Sequence, residues 1–119
     1  MKTNIFVSYT LKGNRLSKHK LNELKKALTT LDFLSLYIDI LDNNCSASPQ
    51  SEVIYRLLKS DIVWVIFCDE VLKSEWVIKE IKLAKKHNKP IHHISISTMN
   101  NLIVAQDDSK KLNILRTFI

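Results

Sequence analysis

One carboxylate in this chain stands in company that raises the question of chemistry. From Lys73 to Ala84 the sequence reads Lys-Ser-Glu-Trp-Val-Ile-Lys-Glu-Ile-Lys-Leu-Ala. At helical spacing Val77, Ile81 and Ala84 form one apolar line, and Trp76, Glu80 and Leu83 form a second line beside it. Lys79, Lys82, Lys85 and Lys86 take the remaining positions, where they reach water. Glu80 therefore sits among apolar neighbours, at the edge of a core, where a carboxylate is costly unless it has a partner or a task. The plain alternative is a solvent-facing glutamate paired with a lysine such as Lys86. Ser74 stands where a helix needs a hydroxyl acceptor at its N-cap.

These residues need elements to hold them. The run Ile62-Val-Trp-Val-Ile-Phe-Cys68 is an apolar strand feeding the helix of Glu80, which reaches about His87 and is stopped by Asn88-Lys89-Pro90. Upstream, Asn4 to Thr10 reads as a short buried strand ending in Ser8-Tyr9-Thr10, followed by a polar loop with Gly13. Leu21, Leu24, Leu28 and Leu31 recur at helical steps within Arg15 to Leu31. Leu34, Leu36, Ile38 and Ile40 alternate with polar residues as a second strand ending near Asp39. Leu41 to Ser48 is a polar loop closing on Ser48-Pro49, a capping pair for a short helix to Lys59 that buries Val53, Ile54, Leu57 and Leu58. A fourth strand is expected from Ile91 to Ser97, a short fifth over Leu102-Ile-Val104, and a last helix from Asp108 to Ile119 with Leu112, Leu115 and Ile119 on one face.

Strands alternating with helices imply an α/β fold: a flavodoxin-like, doubly wound parallel sheet of four to five strands with helices on both faces. Ligands of such sheets bind beyond the carboxyl ends of the strands. That places Ser8, Tyr9, Asp39, Cys68, Asp69 and the start of the Glu80 helix at one rim. With 119 residues, 45% hydrophobic and 25% charged, and no composition break, the chain is expected to form one domain over residues 1–119. The absence of a long apolar run argues against a membrane span and points to the cytosol. The net charge of +6 is scattered over several helices without interleaved aromatics, which argues against nucleic acid and reads as a solvated, mildly basic surface that would equally suit a pyrophosphate-bearing ligand.

Several chemistries are excluded. Gly13 is the single glycine, so neither the dinucleotide fingerprint nor a phosphate loop can be present. Ser8-Tyr9-Thr10 stands where a phosphoacceptor receiver needs an acidic pair. His92 and His93 are adjacent in a strand and point to opposite faces, and Cys45 and Cys68 form no metal spacing, so no metal is indicated. Asp69 and Glu70 read as an exposed turn, and His19 and His87 as surface helix residues.

Phe6-Val-Ser-Tyr9 at the first strand end, the polar loop after an Asp-containing second strand, and Ser74-Glu-Trp-Val-Ile-Lys-Glu80-Ile together resemble a Toll/interleukin-1 receptor (TIR) domain of the bacterial, NAD-cleaving kind. The resemblance covers about the first 97 residues and departs from the family after Ser97 and in the glycine-free loop. It implies that Glu80 is catalytic, that Ser74 assists it, and that Ser8 and Tyr9 line the ligand pocket. Tyr9 and Trp76 offer flat faces to an aromatic base, and Asp39 ends the strand beside the site. It implies NAD+ as substrate with no cofactor, release of nicotinamide, and an ADP-ribose-type product by hydrolysis or cyclisation. That product would be a signalling nucleotide in antiviral defence, read by a downstream effector. It also implies homo-oligomers through TIR–TIR contacts that involve the 41–48 loop. Two other readings stay open. Ser60-Asp-Ile-Val63, a later helix glutamate and Lys89-Pro90-Ile91 also resemble nucleoside deoxyribosyltransferases, and a TIR domain can act as a non-enzymatic adaptor.

Overall fold

Apolar, β-branched runs set the frame. A computed structural model of the chain describes residues 2–43 and 49–119. Strands β1 (Thr3–Ser8), β2 (Leu34–Ile38), β3 (Ile62–Phe67) and β4 (Ile91–Ser95) form one parallel sheet in the order β2-β1-β3-β4. Because side chains alternate across a strand, the two faces of β1 and β3 carry different cores. Ile5, Val7, Trp64 and Ile66 join Leu21, Leu24 and Leu28 of helix α1 (Lys18–Thr29) on one face. Phe6 and Val63 join residues of two later helices on the other. The sheet is doubly wound with the flavodoxin-like order, as the sequence predicts.

The chain turns at the end of β2 into a short helix, α2 (Asp39–Asp42), so this strand ends at Ile38 and Ile40 is not part of it. Helix α3 (Pro49–Lys59) buries Val53 and Leu57, while Ile54 and Leu58 are exposed, contrary to the expected four-residue apolar face. The face toward the sheet is one residue row wide. After β3 a 3-10 turn (Val71–Lys73) leads into α4 (Glu75–Lys86), which is capped at His87 and followed by Asn88 in the left-handed region.

The carboxyl-terminal part corrects the sequence reading most. Strand β4 stops at Ser95, and Leu102-Ile-Val104 is not a strand but the end of helix α5 (Ile96–Val104). Ser95 Oγ accepts the Thr98 N–H at 3.0 Å, an N-cap that starts this helix two residues before the strand was expected to stop. Helix α6 (Asp108–Leu115) follows, with Leu115 buried but Leu112 and Ile119 exposed. Its inward face also carries Lys111, whose ammonium donates to the Ala27 carbonyl at 2.6 Å and the Thr30 hydroxyl at 3.1 Å. That cation serves carbonyls at the carboxyl end of α1 that have no helical partner. Likewise α1 begins at Lys18, not Arg15, because Ser17 caps it by accepting the Lys20 N–H. No helix among the described residues is long and apolar enough to cross a membrane.

Candidate active site

Ser8 closes β1 on the face shared with α3 and α4, and α4 turns Glu80 toward the same spot. The Ser8 hydroxyl donates to Glu80 Oε1 at 2.7 Å, across 72 residues of sequence. Both residues are buried, with Glu80 only 7% exposed. The carboxylate therefore does not pair with a surface lysine. It lies at the carboxyl rim where β1 and β3 diverge to connections on opposite faces of the sheet, the crevice in which such folds take ligands.

Burial pushes the Glu80 carboxyl up to about 7, because the low-dielectric surroundings penalise its charge. Hydrogen bonds from Ser8 and from the Trp76 side chain oppose that rise, and the negative charge of Asp39 adds to it. A buried carboxyl poised near neutrality and held by a hydroxyl is an arrangement suited to acid–base or cation-stabilising chemistry.

Trp76 is half-buried one turn before Glu80 and divides two hollows. One, about 220 Å³ in volume, lies between α3 and α4 and is walled by Val53, Ile54, Leu57, Trp76, Lys79, Glu80 and Leu83. The other, about 180 Å³, is walled by Asp39, Pro49, Gln50, Val53 and Trp76. Each is smaller than the roughly 300–1,000 Å³ of a typical small-molecule site, so each admits one ring or one sugar. Lys79 Nζ stands 5.9 Å from the Trp76 ring centre, which gives the mouth a positive charge over an aromatic face.

The remaining sequence candidates are placed as follows. Asp39 opens α2 and accepts from the Asn43 amide at 2.8 Å and from the Tyr37 hydroxyl at 3.5 Å, so it is oriented by its own turn and faces the smaller hollow. Tyr9 is next to Ser8 but on the opposite face of β1, packed against the α1 core. Its hydroxyl accepts the Ile40 N–H at 3.0 Å, and burial raises its pKa to about 12. Tyr9 thus pins α2 in place. Ser74 Oγ accepts the Val77 N–H at 3.4 Å and caps α4, about 9 Å of helix rise before Glu80. Cys68 is buried, Asp69 is exposed at the rim, and the part of the polar loop over residues 44–48, with Cys45 and Ser48, lies outside the described residues.

Sequence reasoning missed Val53, Leu57 and Gln50 as walls, although Val53 and Leu57 already appeared as an apolar row. It also missed the bond from Ser8 to Glu80. Strand alternation could have shown that Ser8 shares the Phe6 face. Of the residues cited for the deoxyribosyltransferase reading, Ser60, Asp61 and Lys89 sit at the other end of the sheet and make structural contacts there. Lys89 Nζ donates to the Ser60 carbonyl at 2.7 Å, and the Asp61 carboxylate accepts the Asn4 N–H at 2.7 Å. Among the described residues no group of three or more His, Cys, Asp or Glu side chains is arranged to hold a metal. No known family model matches the chain, and no curated protein matches it.

Proposed function

We propose that the chain is an NAD+ nucleosidase of TIR type, with Glu80 as its catalytic residue. The observation that carries this reading is the buried Glu80 carboxylate bonded to Ser8 at the β1 rim, beside an aromatic wall. Nicotinamide in NAD+ is already a cationic leaving group, so breaking its bond to ribose needs no general acid, unlike an ordinary glycoside. One ionised carboxylate is then sufficient. It stabilises the positive charge that develops on the ribose and holds the sugar hydroxyls, and its low-dielectric setting magnifies the effect. Trp76 supplies the stacking face for the leaving ring, Asp39 polar contacts in the adjoining hollow, and Lys79 a positive charge toward the pyrophosphate. Ser8 orients the carboxylate, and Ser74 positions α4. The ADP-ribosyl group then passes to water or to an internal nucleophile, which gives ADP-ribose or a cyclic product suited to signalling in bacterial defence.

The test is nicotinamide release from NAD+ by concentrated protein, beside Glu80→Gln, with products separated by mass. Release by the wild type that falls at least about a thousandfold in the variant supports the reading. Equal rates in both would remove Glu80 from the chemistry. No release by either, with base exchange on deoxynucleosides, would replace the reading with deoxyribosyl transfer, and neither reaction would leave an adaptor.

A further inference from the structure

The sheet ends at β4 where a fifth strand was expected, and among the described residues nothing pairs with the outer edge of β4. We propose that this edge joins a second copy of the chain, β4 against β4 in antiparallel fashion about a two-fold axis at His93.

The backbone hydrogen bonds define what the edge offers. Val63 N–H donates to the Pro90 carbonyl at 2.9 Å, and Trp64 pairs with His92. In a parallel ladder this turns the backbone groups of residues 90, 92 and 94 toward β3 and those of Ile91 and His93 outward, together with the Ser95 N–H, while the Ser95 carbonyl begins the α5 ladder. Antiparallel pairing about His93 sets His93 opposite itself and Ile91 opposite Ser95, so about four N–H to carbonyl bonds form between the copies. The edge is self-complementary, as a two-fold interface must be.

Edge strands that must stay single are blunted by charge, bulges or an inserted proline. Strand β4 carries no charged side chain and no bulge, and the proline beside it, Pro90, lies just ahead of its first residue. Its sequence Ile-His-His-Ile-Ser carries no lysine, arginine or carboxylate, and its register against β3 is unbroken over all its residues. Lys89, two residues before the strand, is tied to the Ser60 carbonyl. Apolar side chains flank the edge on both faces. Phe67 is 41% exposed and stacks on His93, and Ile119 is 44% exposed beside Phe118, which meets His92 edge-on. Pairing two copies covers both. The edge is separated from Ser8 by β3, so this inference stands apart from the nucleotide reading.

Sedimentation equilibrium of the full chain over a wide concentration range tests it, together with amide exchange followed by NMR. The expected result is a species of twice 13.8 kDa whose His93 and Ser95 amides become protected as concentration rises. His93→Lys places like charges opposite each other and is expected to raise the dimer dissociation constant at least about tenfold. His93→Thr, neutral and at home in a strand, is expected to keep the dimer, so a loss confined to His93→Lys reflects like charges across the two-fold axis and not a folding defect at residue 93. A wild-type chain that stays at 13.8 kDa, or a dimer with freely exchanging His93 and Ser95 amides, would overturn the proposal.

Discussion

Glu80 is a buried carboxyl whose ionisation costs stability, a cost that the proposed catalytic role would explain. Its folded-state pKa of about 7 lies above the 4.5 of an unperturbed glutamate. Below about pH 4.5 both folded and unfolded chains carry the proton, and Glu80 has no effect on the balance. Between 4.5 and 7 the folded chain holds the proton more tightly than the unfolded one, so stability falls as pH rises, and above 7 the full loss remains. The shift corresponds to about 3 kcal/mol. Glu80→Gln keeps the shape without the buried charge. It is therefore expected to raise stability at pH 8 by up to about 3 kcal/mol, with little gain at pH 4, in urea unfolding at the two values. A loss at pH 8 would mean that the ionised carboxylate is a structural partner. The proposed reaction needs the ionised form, so on that reading kcat/KM should rise with pH through about 7. The Ser8 bond favours that form, and Ser8→Ala should move the inflection upward. A Ser8 that merely packed would change the rate without moving the profile.

At the scale of elements, the local signals that succeeded were caps and stops, and those that failed concerned short apolar runs. Ser74 caps α4 as its position implies, and the turn at Asn88 ends that helix. Leu102-Ile-Val104 could not be assigned by periodicity, because three apolar residues satisfy a strand and a helix equally. The deciding residue was Ser95, whose hydroxyl begins a helix in which Met99 and Leu102 face inward. Capping also separates two roles for Ser74. Ser74→Ala should cost about 1 kcal/mol of stability, and Ser74→Asp, itself a good cap, should restore it. If activity follows stability through both variants, Ser74 acts by setting the register of α4 and hence the reach of Glu80. If Ser74→Asp folds as well as the wild type but stays inactive, the hydroxyl has a part in the chemistry.

For the whole molecule, the parallel, doubly wound sheet with helices on both faces was legible because alternation and helical spacing are local properties. Contacts between distant segments were not. Nothing near Lys111 says that its ammonium will serve the end of α1, and nothing near Trp64 says where its indole N–H will go. Trp64 is fully buried, and that N–H donates to the Phe118 carbonyl at 2.9 Å. The tail thereby closes the α1 face of the core, where Phe118 packs against the same cluster. Deleting Phe118 and Ile119 should destabilise the chain by the buried ring and by the unpaired indole together. Phe118→Ala removes the ring but keeps the carbonyl. The difference between the two in thermal unfolding isolates the hydrogen bond, expected at about 1–3 kcal/mol for a buried donor left without a partner. Equal losses would mean that water reaches the indole once the tail is gone, and that the tail acts through the Phe118 ring alone.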